Sequence, residues 1–255
     1  MHLAHSLLIV GLAGACTAVA QAQEAGGAAA SDPTASVRYQ DFRYRYFDQS
    51  QGSDRHSFET EGAFMLSPRL KVTNELRYVS DDRSGKSEQD FQELKLKGIF
   101  LNPIKPFGIN ANLALGVEWL KDLGSFEKGT GTGTDMVAPL AGIGWVPDDR
   151  NFIVTLVQYF YSYDTDSNFE GDVRQTAPRL IWIRSLPGMN GWFKADLKMS
   201  IDHEDDENFD QTLDLQLGTM ISPKWGFYGE LLLGDDVFDS DGYNIGFGVG
   251  ARMMY

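Results

Sequence analysis

Residues 243–255 read YNIGFGVGARMMY. Tyr243, Ile245, Phe247, Val249, Ala251, Met253 and Tyr255 are apolar at period two, and Asn244, Gly246, Gly248, Gly250, Arg252 and Met254 lie between them. A helix would scatter the first set around its circumference. A strand puts the two sets on opposite faces. The same alternation recurs upstream. Leu70, Val72, Leu76 and Tyr78 interleave with Lys71, Thr73, Glu75 and Arg77, and Phe193, Ala195, Leu197, Met199 and Ile201 with Lys194, Asp196, Lys198 and Ser200. Leu213, Leu215 and Leu217 interleave with Asp214 and Gln216, and Ile109 to Trp119 follow the same rule.

The pattern predicts twelve strands, at 37–48, 55–66, 69–80, 89–101, 108–120, 136–146, 151–163, 173–184, 192–202, 209–221, 225–233 and 243–255. The first, sixth and eighth alternate poorly. Their connections fall into two alternating classes. One is short and carries proline, as in Ser67-Pro68, Pro147-Asp148-Asp149, Leu186-Pro187-Gly188 and Ser222-Pro223-Lys224. The other is acidic and mostly longer: 48–54, 81–88, 121–135, 164–172, 203–208 and 234–242. Tight turns at one end and long loops at the other are the signature of an all-β, antiparallel transmembrane barrel of the outer-membrane type. An even strand count puts both ends in the periplasm. Read as a water-soluble barrel, twelve such strands would enclose an apolar interior with too little to fill it; turned inside out, lipid covers that face.

Charge and composition agree. The 255 residues carry 22 Lys and Arg against 36 Asp and Glu, a formal net charge of −14, which excludes the basic footprint of a nucleic-acid binder. Leu7 to Val19 is an apolar and small-residue run followed by A-x-A sites, so residues 1–22 read as a signal peptide cleaved after Ala22 in a Gram-negative envelope protein. Its n-region has His2 and His5 but no Lys or Arg. Cys16, the single cysteine, offers a lipidation alternative, although Ala13 stands where a lipobox has Leu. Residues 23–36, QEAGGAAASDPTAS, read as a flexible periplasmic arm, and 37–255 as the barrel. Aromatics fall near strand ends, as interfacial belts require: Tyr44, Tyr46, Tyr78, Trp119, Tyr159, Tyr161, Tyr163 and Tyr243 at the external level, and Phe64, Trp145, Phe152, Trp182, Trp192, Trp225 and Tyr255 at the periplasmic level.

The polar face then lines a lumen. It carries Arg43, Arg45, Arg77, Lys95, Lys97, Arg179, Lys194, Lys198 and Arg252, together with Asp41, Glu59, Glu61, Glu75, Glu93, Glu118, Asp196, Asp210, Asp214 and Glu230. The signs nearly balance, so the charges either pair across strands, as Glu75 with Lys95, or set a transverse field in a narrow pore. An inward-folded loop or the 23–36 arm could block it. These features point to a porin-like channel for passive transport of small-molecule solutes. The alternatives are a plugged barrel acting through its acidic loops as a surface-binding or envelope-structural protein, and a lipid-modifying enzyme. Acidic clusters at 202–207, 235–241 and 164–172 form a rim that divalent ions could bridge to lipopolysaccharide, with no EF-hand spacing. The GTGTGT run at 129–134 reads as a flexible loop tip. Catalysis would need a Ser–His pair, and only His56 and His203 follow the leader. His56 adjoins Ser57, but neighbours on a strand face opposite ways. No catalytic residue, cofactor or metal site is assigned. The expected partners are outer-membrane lipids, lipopolysaccharide and, during insertion, the barrel-assembly machinery that reads a C-terminal aromatic strand.

From Val137 to Ile221 the chain resembles outer-membrane barrel transporters of the MetA-pathway phenol-degradation type. The resemblance rests on Val137-Ala138-Pro139, on Pro147 before an aromatic strand ending Ser162-Tyr163-Asp164, and on Pro178. It continues through Leu186-Pro187-Gly188 leading to Trp192 and the acidic tip after Asp202. It implies an outer-membrane channel for small molecules, hydrophobic ones among them, and supplies no binding residues.

Overall fold

The computed structural model describes residues 26–49, 53–83, 86–166, 172–204, 209–234 and 243–255. A one-turn helix, α1 (Gly26–Ala30), precedes twelve strands: β1 (Tyr39–Gln49), β2 (Ser53–Ser67), β3 (Leu70–Arg83), β4 (Lys86–Ile104), β5 (Asn110–Asp122), β6 (Thr134–Val146), β7 (Asn151–Thr165), β8 (Arg174–Leu186), β9 (Gly191–Asp202), β10 (Phe209–Met220), β11 (Trp225–Leu233) and β12 (Tyr243–Met254). Each strand pairs antiparallel with its neighbours in sequence, and β1 pairs with β12, so the sheet closes into a barrel without edges. Both described termini lie at the end carrying the tight turns. Among the described residues no helix is long and apolar enough to cross a membrane, which says nothing of a β-barrel.

The period-two reading sets the faces. Phe42, Tyr44, Phe58, Leu115, Val117, Leu217, Phe227, Phe247 and Val249 are exposed on the outside. Asp41, Arg43, Arg45, Glu59, Asp214, Gln216 and Glu230, one residue out of phase, are buried within. Leu213, Leu215 and Leu217 pair with Leu233, Leu231 and Gly229 on the outer face. The aromatic outer girdle has its own polar tips: Tyr44 Oη lies 2.6 Å from His56 Nδ1, Tyr46 Oη donates to Asp54 at 2.7 Å, and Trp119 Nε1 donates to Tyr163 Oη at 2.5 Å.

The turns are fixed by side chains that accept backbone N–H groups. Ser67 Oγ accepts from Leu70 N at 3.1 Å, and Ser222 Oγ from Trp225 N at 3.0 Å. Asp148 does the same for Arg150 N and Asn151 N at 2.8 and 2.9 Å. Hydrogen bonds from the Asn151 side chain, and then these backbone bonds, hold the Asp148 carboxyl below its ordinary range.

Three expectations differ from what is seen, and of the two readings open for the arm, a free tether or a block in the lumen, it takes the second. β3 and β4 run on to Arg83 and from Lys86, consuming most of the loop expected at 81–88; beyond the lipid a hairpin can continue in water without apolar alternation. The loop at 123–133 is knit together rather than loose. Asp122 accepts from Gly124 N, Thr132 N and Gly133 N, and Thr130 is fully buried. Trp192 and Phe152, expected in the lipid-facing belt, point inward because strand parity puts them in phase with Lys194 and Val154. Finally, residues 26–36 enter the barrel. Much of the expected acidic rim, at 167–171, 205–208 and 235–242, lies outside the described residues, as does the leader.

Candidate functional site: the lumen and its N-terminal arm

At the turn end the lumen is an apolar socket. Val154 of β7, Ile181 and Ile183 of β8, Trp192 of β9, Met220 of β10 and Tyr228 of β11 cluster around Ala28 of α1. Glycines on the arm and on the wall make room for the docking. A Cβ on Gly27 would collide with the Trp192 ring, and one on Gly144 would come within 2.9 Å of Thr34 Cβ.

Polar groups then fix what the apolar contact admits. Arg252 is the main latch. Its Nη1 donates to Gly27 O and Ser31 Oγ, both at 2.8 Å, while Nε and Nη2 grip Asp41 at 2.8 and 2.7 Å. Its guanidinium lies 5.1 to 5.4 Å from the rings of Tyr39, Trp192 and Tyr228. Lys71, 1% exposed, donates to Pro33 O at 3.2 Å and Ala35 O at 3.1 Å. Asn112 Nδ2 donates to Thr34 O at 3.2 Å. The arm is held largely through its backbone carbonyls.

Above the arm is a cavity of about 450 Å³. Ten basic residues line it (Arg43, Arg45, Lys71, Arg77, Lys95, Lys97, Arg179, Lys194, Lys198 and Arg252) against seven acidic ones (Asp41, Glu61, Glu75, Glu118, Asp196, Asp210 and Asp214). Of the residues read from sequence as pore-lining, Glu59, Glu93 and Glu230 stand behind this surface. Glu59 is 3.3 Å from both Arg43 Nε and Arg45 Nη1 and 2.9 Å from Arg77 Nε. Arg45 also reaches Glu230 at 2.7 Å. Glu93 sits 2.9 Å from Arg77 and 2.8 Å from Lys95, and Lys95 meets Glu75 at 3.2 Å. Lys97 pairs with Glu118, which also accepts from Gln158 at 3.0 Å. Across the barrel Asp196 takes Arg179 at 2.5 Å and Lys194 at 3.3 Å, and Lys198 pairs with Asp214.

The pairs are layered. The Arg77, Arg179 and Lys198 side chains are 25%, 27% and 39% exposed, whereas their partners Glu59, Asp196 and Asp214 are 1%, 0% and 4% exposed. In these three pairs the acid stays at the wall and the longer base reaches over it, whereas Glu61 and Glu75, at 24% and 17%, are more exposed than their partner Arg43 at 10%. Such pairs add little net stability over an apolar core, but removing one partner strands a buried charge at a cost of about 3–5 kcal/mol.

Sequence reasoning missed Lys71, Tyr39 and Gln216. Each lies on the correct face, but only the docked arm gives them a role. Trp192 Nε1 donates to Gln216 Oε1 at 2.7 Å, and Tyr39 Oη to Glu61 Oε1 at 2.5 Å. Among the described residues no group of three His, Cys, Asp or Glu is placed to hold a metal. His56 faces outward to Tyr44, while Ser57 faces inward and donates to Glu59 at 3.2 Å.

No family model matches this chain, and no curated protein matches it by sequence. Solved structures do match. The NanC porin aligns at TM-score 0.64 and 9% identity, over 85% of this chain and 100% of its own. An outer membrane channel from Pseudomonas putida F1 aligns at 0.62 and 10%, over 86% and 96%. The KdgM porin aligns at 0.60 and 9%, over 85% and 99%. The chain has the twelve-stranded outer-membrane porin fold. A hydrolase shares the general barrel: outer membrane phospholipase A from Escherichia coli aligns at 0.50 and 13%, over 86% and 93%. At these identities the likeness is one of fold.

Proposed function

We propose that the protein is a non-enzymatic channel of the bacterial outer membrane that passes small solutes and is closed at its turn end by its own N-terminal arm. The observation that carries this reading is the charged cavity of about 450 Å³ inside a closed barrel with an apolar exterior. The tight turns would face the periplasm, where a cleaved leader delivers residues 26–36. Lipids and lipopolysaccharide would surround the barrel, and the aromatic final strand would engage the assembly machinery. The reach of Arg77, Arg179 and Lys198 into the cavity favours small anions. The resemblance over Val137–Ile221 to MetA-pathway barrels supports transport of small molecules.

Proteoliposome swelling across a series of neutral and anionic solutes tests this. We expect slow entry for the full chain and faster entry, with a sharp size limit, once residues 26–36 are deleted. The docked arm also favours a second reading, a plugged barrel with an envelope-structural role. That reading prevails if the arm-deleted barrel neither swells vesicles nor conducts.

A further inference from the structure

We propose that the floor of the lumen, which the arm now fills, is a binding site for a small carboxylate with an apolar body, and that such a solute and the arm compete for it. The starting point is the charge balance of the cavity wall. Among the described residues, nine of the ten bases lining the cavity have a carboxylate at ion-pair distance, as Lys97 has Glu118 and Arg252 has Asp41. Lys71 is the exception. It is 1% exposed, yet its ammonium meets only main-chain carbonyls of the arm, those of Pro33, Ala35 and, at 3.5 Å, Asp32. The Asp32 side chain serves its own segment instead: Oδ1 accepts from Thr34 N and Thr34 Oγ1, both at 2.7 Å. A cation taken out of water is compensated best by a full opposite charge. A hydrogen bond to an ionised acceptor is about twice as strong as one to a neutral acceptor. The arm therefore leaves part of the attraction of Lys71 unused.

The surroundings of Lys71 define the rest of the solute. The Tyr39 ring lies 5.8 Å from Lys71 Nζ and 5.3 Å from the Arg252 guanidinium, and it packs against Ala30 and Ala63. Beyond it, Trp192, Tyr228 and the two isoleucines of β8 close on Ala28. The arm covers this apolar floor with little more than two alanine methyls. Two further donors face the arm's oxygens: Asn112 Nδ2 meets Thr34 O, and Arg252 Nη1 meets Gly27 O and Ser31 Oγ. Without the arm, the floor presents a cation and N–H donors beside an aromatic and aliphatic surface. A cationic solute would meet like charge there, and a neutral apolar one would leave Lys71 unpaired. A sugar acid would set its hydroxyls against Ile181 and Ile183 with nothing to receive them. A carboxylate with an apolar body satisfies both parts. It also has a way in, because Ala30, Ser31 and Pro33 of the arm line the cavity together with Lys71 and Arg252. The inference rests on the channel reading for the route of the solute, not for the site.

The test uses the full chain carrying Cys16→Ser and Ala28→Cys, reconstituted in phosphatidylcholine vesicles. Ala28 is 1% exposed while the arm is docked, so the rate at which a bulky maleimide modifies a thiol there reports the undocked fraction. The probes are hexanoate, 1-hexanol, which has the body without the charge, and acetate, which has the charge without the body. We expect hexanoate to speed modification several-fold and saturably, and the other two at equal concentration to leave it unchanged. Lys71→Gln, which keeps an N–H donor and loses the charge, should abolish the hexanoate response, and Lys71→Arg should retain it. Heat-modifiable migration shows whether each variant has folded; if Lys71→Gln has not, the three probes on the parent chain decide. Equal acceleration by hexanol or acetate, no acceleration by hexanoate, or a hexanoate response that survives Lys71→Gln overturns the site. Swelling is measured on the same vesicles. Solute entry with modification indifferent to hexanoate removes only the site, whereas hexanoate-driven modification without solute entry keeps the site and removes the channel.

Discussion

Ala28→Asp perturbs the arm while leaving every strand untouched. Ala28 is 1% exposed in a socket of Val154, Ile181, Ile183, Trp192 and Met220, where a new carboxylate would meet no designated partner. An ionised side chain buried without a partner costs several kcal/mol even after relaxation. Taking about 4 kcal/mol, and about 1.4 kcal/mol per factor of ten, the docked-to-undocked ratio falls about a thousandfold. The arm's attachments offer no relief, because Arg252 and Lys71 hold carbonyls and Ser31 rather than position 28. Single-channel recording in planar bilayers reads the outcome. The wild type should dwell mainly in a low-conductance state, and Ala28→Asp should dwell mainly in the high-conductance state of a barrel lacking residues 26–36. The variant's heat-modifiable migration in detergent gels should be unchanged, since the barrel itself is intact. If the variant folds and its dwell times match the wild type, the arm does not close this barrel and the reasoning is wrong.

Asp32 should make closure pH-dependent. Burial raises its carboxyl above the ordinary value, opposed by hydrogen bonds from Thr34 and by the Lys71 charge, so the docked arm holds that proton more tightly than a free arm does. Docking is then strongest in acid and weakens as pH climbs through the raised value, by at most about tenfold per unit for one proton; Asp32→Asn should flatten the response in current recordings between pH 4 and 7. Gly144→Ala should push Thr34 out of place and raise the open fraction, read as faster swelling. Lys97→Gln leaves Glu118 its bond from Gln158, so the barrel should fold while the anion-to-cation permeability ratio drops about two- to fivefold at low salt and recovers toward parity at about 1 M. Reversal potentials under a salt gradient would expose an unchanged ratio.

Much of this was legible in the chain itself. Alternation on β3, β5, β9, β10 and β12 announces strands with one lipid face, and the proline turns announce their parity. The ionised lumen residues follow from the same phase. What composition could not show is the arm. GGAAASDPT is small and polar enough to read as a tether, and its binding runs through main-chain carbonyls that sequence does not display. A signal nevertheless existed in the strands that alternate poorly. β8 puts Ile181 and Ile183 inward and β6 puts Ala138, Gly142 and Gly144 inward, which makes no sense for a watery pore and good sense for a socket. Trp192 misled for a related reason: its height suits an interfacial belt, and only its phase with Lys194 reveals that it supports α1.

The stacking of long cations over short carboxylates has an electrical consequence. The Arg77–Glu59, Arg179–Asp196 and Lys198–Asp214 pairs each act as a small radial dipole with its positive pole toward the axis, and the layer sums to almost no monopole. Its potential therefore decays faster with distance than that of a bare arginine track. An ion outside the mouth would sense little of this layer, and discrimination would begin only when it touches the guanidinium and ammonium tips. In the channel proposed above, selection would act by contact, without long-range capture, on solutes already at the charged layer.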